Sequence, residues 1–261
     1  MKINFGGVVE NVVTREEFPL EKAKKTLENK LIAVLGYGVQ GPAQSMNLKD
    51  NGFNVIVGQY SGDKEYWKKA IADGWIPGRT LFEIEEAAKK GDIVSFLIGD
   101  AGQVKVWPDK VKPFITHGKT LYVSHGMPIH FSNATGIIPP NDVNVIMVAP
   151  KGAGSTVRKL FKEGKGINSS YAVHQAYFKE ASDIVRAMGI GIGSGYMFET
   201  TVANEVISDH FGERNILLGG LDGLVEADYY ISMARGMSKK DAFIHSSEQL
   251  TQVILPLIGK G

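Results

Sequence analysis

The hexapeptide Gly36-Tyr37-Gly38-Val39-Gln40-Gly41 follows a short apolar run, Leu31 to Leu35, and opens a helix-like stretch from Val39 to Asp50. In that setting each glycine has its own physical reason. Gly36 permits a tight turn, Gly38 lets the backbone approach a pyrophosphate, and Gly41 lets the helix pack close to the strand. The helix N-terminus adds N–H groups that suit phosphate oxygens. The turn therefore implies a buried strand feeding a helix, with a dinucleotide at the junction; a purely structural glycine turn is the alternative.

The chain continues in the same rhythm. Asn51-Gly52 stops the first helix, a strand runs from Asn54 to Gly58, and helices are expected near Tyr66–Ala72, over Leu81–Lys90 and around Gln103–Val111. Strands are expected at Ile93–Ile98, Thr120–Val123, Val143–Val148 and Tyr171–His174, and a further helix at Lys179–Met188. Strands separated by helix-length stretches imply crossovers and a mostly parallel sheet. The glycine-rich stretch from Gly189 to Gly195 reads as a boundary. Beyond Thr200, apolar residues recur at helical spacing, Gly236 closes a helix, and Ser238 with Asp241 starts the last one. The expected fold class is α/β, a Rossmann-type doubly wound, mostly parallel sheet over 1–190, followed by a smaller all-α domain over 191–261.

Composition narrows the function. Lys+Arg 29 against Asp+Glu 28 leaves a net charge of +1, which suggests neither nucleic acid nor an acidic membrane as partner. Zero cysteines exclude disulfides, thiolate metal sites and cysteine nucleophiles. No apolar run approaches the roughly 20 residues that span a bilayer. The N-terminus resembles neither a secretory signal nor a transit peptide, so the cytoplasm is the expected location.

Several side chains could carry chemistry. His125 follows the strand Thr120–Val123 and Lys151 follows Val143–Val148; carboxyl ends of parallel strands are where doubly wound folds place their ligands. The other readings are a structural histidine and a surface lysine. Asp209 and Glu213 stand at i, i+4, which on an α-helix puts both carboxylates on one face, suited to Mg²⁺ or simply solvated. After Gly58 the chain has Gln59, Tyr60 and Ser61 rather than the carboxylate that would bind the ribose of NAD. That leans toward NADP, with Ser61 and Lys64 able to receive a 2′-phosphate and Asp63 opposing it. An ordinary solvated loop is the alternative.

The segments GYGVQGPAQSMNLKDNGFNVIVG, ADGWIPGRTLFEIEEA, GKTLYVSHG, IMVAPKGAGSTVRKLFKEGKGINSSYAV, GSGYMFETT and SDHFGERNILLGG, taken together, resemble the ketol-acid reductoisomerase (acetohydroxyacid isomeroreductase) family in the variant shared by yeast-type and some bacterial enzymes. The resemblance implies an NADPH- and Mg²⁺-dependent enzyme of valine and isoleucine synthesis. It would convert an acetohydroxy acid to a dihydroxy acid by alkyl migration and then hydride transfer. On the family pattern Gly36, Gly38 and Gly41 form the pyrophosphate loop, in which Tyr37 and Gln40 also lie. Asp100 and Gln103 belong to the nicotinamide side, His125 and Lys151 line the reaction crevice, and Asp209 and Glu213 are metal ligands. The family site is shared between chains, which implies a homodimer or higher homo-oligomer.

The match has departures. Where the family supplies a second pair of glutamates, this chain has His245 and Gln249, with Glu248 beside them as the substitute metal ligand. Tyr60 stands where close relatives carry a phosphate-binding arginine. HQAYFKEAS lacks the usual Asp-x-x-Gly turn, and family members continue past the PLIGKG-like segment to a serine that contacts substrate. Two further readings stay open: a catalytically impaired paralogue or truncated domain that binds NAD(P) and oligomerises, and a metal-free Rossmann dehydrogenase of the hydroxyacid type.

Overall fold

The computed structural model describes residues 1–258, apart from the side chains of Phe5, Glu213, Arg214, Leu217 and Ile258. The chain divides into two compact units, Met1–Val206 and the remainder from Ile207.

The first unit is built on strands β1 (Lys2–Phe5), β2 (Val8–Val13), β3 (Ile32–Leu35), β4 (Val55–Gly58), β5 (Leu81–Phe82), β6 (Ile93–Phe96), β7 (Thr120–Val123), β8 (Asn144–Pro150), β9 (Ile167–Gln175) and β10 (Ser194–Glu199). They form one sheet in the order β1-β2-β10-β9-β8-β7-β6-β3-β4-β5. From β5 through β8 every neighbouring pair is parallel. That block has the doubly wound order in which the chain reverses direction across the sheet between β3 and β6, and the crevice at such a reversal is where ligands bind. β9 turns antiparallel to β8, and β10 pairs parallel with β9.

Both faces of the central strands β3, β4, β6, β7 and β8 are covered, which explains their uninterrupted apolar runs. Along β3, Ile32 and Val34 join one core cluster while Ala33 and Leu35 join the other. Helices α1 (Leu20–Thr26), α2 (Gly41–Asp50), α3 (Lys64–Ala72), α4 (Ile84–Lys90) and α5 (Asp100–Val106) pack around the strands. Most of α2 is buried, including polar Gln44, Ser45 and Asn47. Asn47 donates through Nδ2 to the Ile192 carbonyl at 2.8 Å, so its burial is compensated.

Several elements differ from the expectation. The N-terminal leader forms the β1–β2 hairpin around Gly6 and Gly7, both at positive φ, which glycine adopts without steric penalty. Leu81–Phe82 is a strand, and the helix expected over Leu81–Lys90 starts only at Ile84. The basic stretch after Pro150 contains a helix, Gly154–Lys162. In the Gly189–Gly195 stretch, Gly189 and Gly191 end the helix Ala181–Gly191 and Ser194 begins β10.

The second unit is helical. The helix Val202–Asp209 leads into a stretch with i→i+5 hydrogen bonding, His210–Gly220, and then Leu221–Ala234. Gly236 follows at positive φ, and Ser238 caps Lys239–Phe243 by accepting from the Asp241 N–H at 3.1 Å. Further helical turns run over Ile244–Glu248, Leu250–Ile254 and Leu255–Ile258. Among the described residues no helix is long and apolar enough to cross a membrane.

Candidate active site

The glycine turn leaves β3 at Gly36, whose φ of +96° requires glycine. A Cβ there would also sit 2.9 Å from the Ile98 backbone. A Cβ on Gly41 would overlap the Gly36 carbonyl, so the helix start and the turn lie in direct backbone contact. Gly38, in contrast, faces open space, as a phosphate-facing backbone must. The Gln59 side chain supports the loop by accepting from the Tyr37 N–H at 2.9 Å. This arrangement fits a pyrophosphate, and the dinucleotide would be held by the backbone of Gly36, Gly38 and Gly41.

Tyr37, expected among the cofactor-binding residues, has a fully buried side chain. Its hydroxyl donates to Asp73 at 2.8 Å and accepts from the Trp75 indole at 2.9 Å. Burial, and next the Asp73 carboxylate, push its pKa up. Gln40 donates through Nε2 to the Gly152 carbonyl at 3.0 Å. A Cβ on Gly154 would collide with the Val39 carbonyl, so the turn after β3 and the turn after β8 are packed together. Gln44, which the sequence reading did not single out, donates to Ser124 at 2.7 Å and accepts from the buried Tyr122 hydroxyl at 2.9 Å. This network ties α2 to the end of β7, next to His125.

Four functional groups gather at the ends of β6, β7 and β8 and on the helix beginning at Val202. Asp100, at the start of α5, lies 2.8 Å from His125 Nε2. His125 Nδ1 accepts from the Met127 N–H at 3.3 Å, which leaves Nε2 to carry the proton toward Asp100. Glu205 is only 3% exposed; it accepts from the Gly126 N–H at 2.9 Å, and Lys151 Nζ lies 3.8 Å from its other oxygen. A buried carboxylate needs such partners, because desolvation without them is costly. The sequence reading missed Glu205. The available signal was its position four residues before Asp209, which extends the Glu213 spacing back by one turn.

Gln103 is buried and donates to the carbonyls of Ile98 at 2.7 Å and Phe96 at 3.4 Å, so it shapes the β6–α5 loop. Ser61 and Lys64 are exposed, and the Ser61 N–H donates to the Glu83 carboxylate at 3.3 Å. Asp209 ends the helix Val202–Asp209 and is half-buried; the Glu213 side chain lies outside the described residues. Where the backbone bonds five residues ahead, an i, i+4 spacing no longer amounts to one turn. Glu248 is half-buried, while His245 and Gln249 are exposed. Among the described residues no group of three or more His, Asp or Glu comes together as a metal site.

The N-terminal part, residues 26–197, matches the family model "Acetohydroxy acid isomeroreductase, NADPH-binding domain", and residues 202–261 match "Ketol-acid reductoisomerase, C-terminal domain". The chain belongs to the ketol-acid reductoisomerase family. It is 57% identical over 258 residues to a ketol-acid reductoisomerase (NAD(+)) of Desulfosudis oleivorans, covering 99% of this chain and 73% of that relative. It is 49% identical over 259 residues to the mitochondrial ketol-acid reductoisomerase of Saccharomyces cerevisiae, covering 99% of this chain and 65% of the yeast protein. An NADH-preferring ketol-acid reductoisomerase from an uncultured archaeon superposes with a TM-score of 0.83 at 34% identity, over 96% of this chain and 74% of that one. The chain thus spans about two thirds to three quarters of the length of these relatives.

Proposed function

We propose that this chain carries the catalytic core of a ketol-acid reductoisomerase that acts on acetohydroxy acids such as 2-acetolactate and 2-aceto-2-hydroxybutyrate. The observation that carries the reading is the Lys151–Glu205 pair at the end of β8, set beside the glycine turn by the Gln40–Gly152 hydrogen bond. In the reaction the substrate hydroxyl loses a proton and the alkyl group moves from the hydroxyl-bearing carbon to the adjacent carbonyl carbon. A new ketone remains at the first carbon, and the former carbonyl oxygen, left as an alkoxide, takes up a proton to become a hydroxyl. Hydride from the dihydronicotinamide then reaches that ketone carbon, and a proton reaches its oxygen.

Lys151 and Glu205 form a charged pair able to accept the first proton and return one to the ketone oxygen. His125, gripped at both ring nitrogens, offers a fixed polar edge to the substrate. Asp209, Glu213 and Glu248 have the carboxylate chemistry that hard cations select, and Mg²⁺ held there would polarise the substrate oxygens as a Lewis acid. NADPH is the family expectation for the hydride donor. The working unit is a homodimer or higher homo-oligomer.

The test is dinucleotide oxidation with 2-acetolactate, with and without Mg²⁺, in the wild type, Lys151→Ala and Asp209→Ala. Metal-dependent turnover lost in both variants supports the reading. Saturable dinucleotide binding without turnover favours the second reading, a cofactor-binding paralogue or truncated domain, for which His245 and Gln249 in place of glutamates already speak.

A further inference from the structure

The end of β4 holds no acid for the adenosine ribose, yet the fold brings one there from the neighbouring strand. Gln59, the residue in that place, is 7% exposed and committed to the Tyr37 N–H, so it serves the glycine turn rather than the ribose. β5 lies parallel to β4 with Gly58 opposite Phe82, and the Gln59 N–H donates to the Phe82 carbonyl at 3.0 Å. The next residue, Glu83, therefore emerges at the carboxyl edge of the sheet, level with the end of β4. Its two carboxylate oxygens stand 3.3 and 3.5 Å from the Ser61 N–H. Glu83 is half-buried and its side chain makes no cap bond to α4, so both oxygens keep lone pairs for a further donor.

The surroundings oppose a phosphate. Asp63 caps α3 by accepting from the Tyr66 N–H, which puts a second carboxylate on the helix end that would otherwise attract an anion. Lys110 lies 5.8 Å from the Tyr60 ring centroid, but its charge is shared with Glu85 at 3.3 Å. Residues 59–65 contain no arginine, the residue whose fork suits a 2′-phosphate. Lys64 is the single cation in that loop, against Asp63, Glu65 and the incoming Glu83.

We propose that Glu83 reads the adenosine ribose by accepting from its 2′-hydroxyl, and that Glu83 with Asp63 turns away a 2′-phosphate, so that this chain takes NADH in preference to NADPH. The proposal rests on the glycine turn being a dinucleotide site, and it replaces the family expectation for the donor. A carboxylate that accepts from the ribose hydroxyl and repels its phosphate ester is the usual basis of this discrimination.

The experiment is equilibrium binding of NADH and of NADPH to the whole chain by calorimetry, with Glu83→Gln, Asp63→Asn and Glu83→Lys. Wild type is expected to bind NADH about tenfold more tightly or better. Glu83→Gln should weaken NADH several-fold and narrow the ratio. Asp63→Asn keeps the cap acceptor, and should raise NADPH affinity while leaving NADH unchanged. Glu83→Lys should reverse the order. Equal or tighter NADPH binding in the wild type overturns the proposal, as does an unchanged ratio in a folded Glu83→Gln. Binding of neither nucleotide overturns the dinucleotide site itself, an outcome distinct from losing only the preference.

Discussion

The two units of this chain use their apolar residues in opposite ways. In Met1–Val206 the central strands bury both faces, and large side chains such as Trp75, Trp107, Phe96 and Tyr122 are nearly or wholly inaccessible. From Ile207 on, only Ser232, Ala242 and Ser246 are buried among the described residues, whereas Phe211, Ile216, Leu218, Leu224, Tyr230 and Leu257 are more than half exposed. A sheet wound on both faces completes its own core. Helices that leave this much apolar surface in water have the composition of an interface, since exposed patches of that kind mark association sites. The difference teaches that the first unit holds Asp100, His125, Lys151 and Glu205 in place on a finished core, while the second leaves its larger apolar side chains exposed.

The largest effect that would test this contrast is chemical. Lys151→Ala should lower kcat by about 10²–10⁴-fold, the range for losing a group that moves protons in the transition state, without changing the sedimentation coefficient. Next comes assembly. Leu224→Glu with Phe211→Glu should shift sedimentation from a dimer or larger species toward monomer; a wild-type monomer would break the contrast. Smaller still is Tyr37→Phe, which leaves the buried Trp75 indole N–H without its acceptor. It should cost roughly 1–3 kcal/mol in urea denaturation. The smallest is Ser238→Ala, which removes an exposed helix cap in the second unit for about 1 kcal/mol.

Much of the first unit was legible in the sequence because its signals are local. An apolar run, a glycine turn and Asn51-Gly52 are contiguous, and β3, α2 and β4 lie where they point. β5 was missed because Leu81 and Phe82 also fit the apolar face of a helix, and only pairing with β4 makes them a strand. β1 and β2 depend on each other and on β10, so a window over the leader sees no partner. The site shows the same division. Gly36, His125 and Lys151 are marked by their place after a strand, whereas Gln44, Glu83 and Glu205 acquire meaning only from distant residues such as Ser124, Ser61 and Gly126.

The contact between Gly154 and the Val39 carbonyl couples two events that chemistry would otherwise keep separate. Because the backbones touch and Gln40 bonds to Gly152, neither turn can swing without displacing the other. Arrival of the dinucleotide should therefore stiffen the loop that carries Lys151 before any substrate enters. Amide hydrogen exchange around Lys151 would slow on cofactor binding alone, which makes the first ligand a preparer of the site for the second.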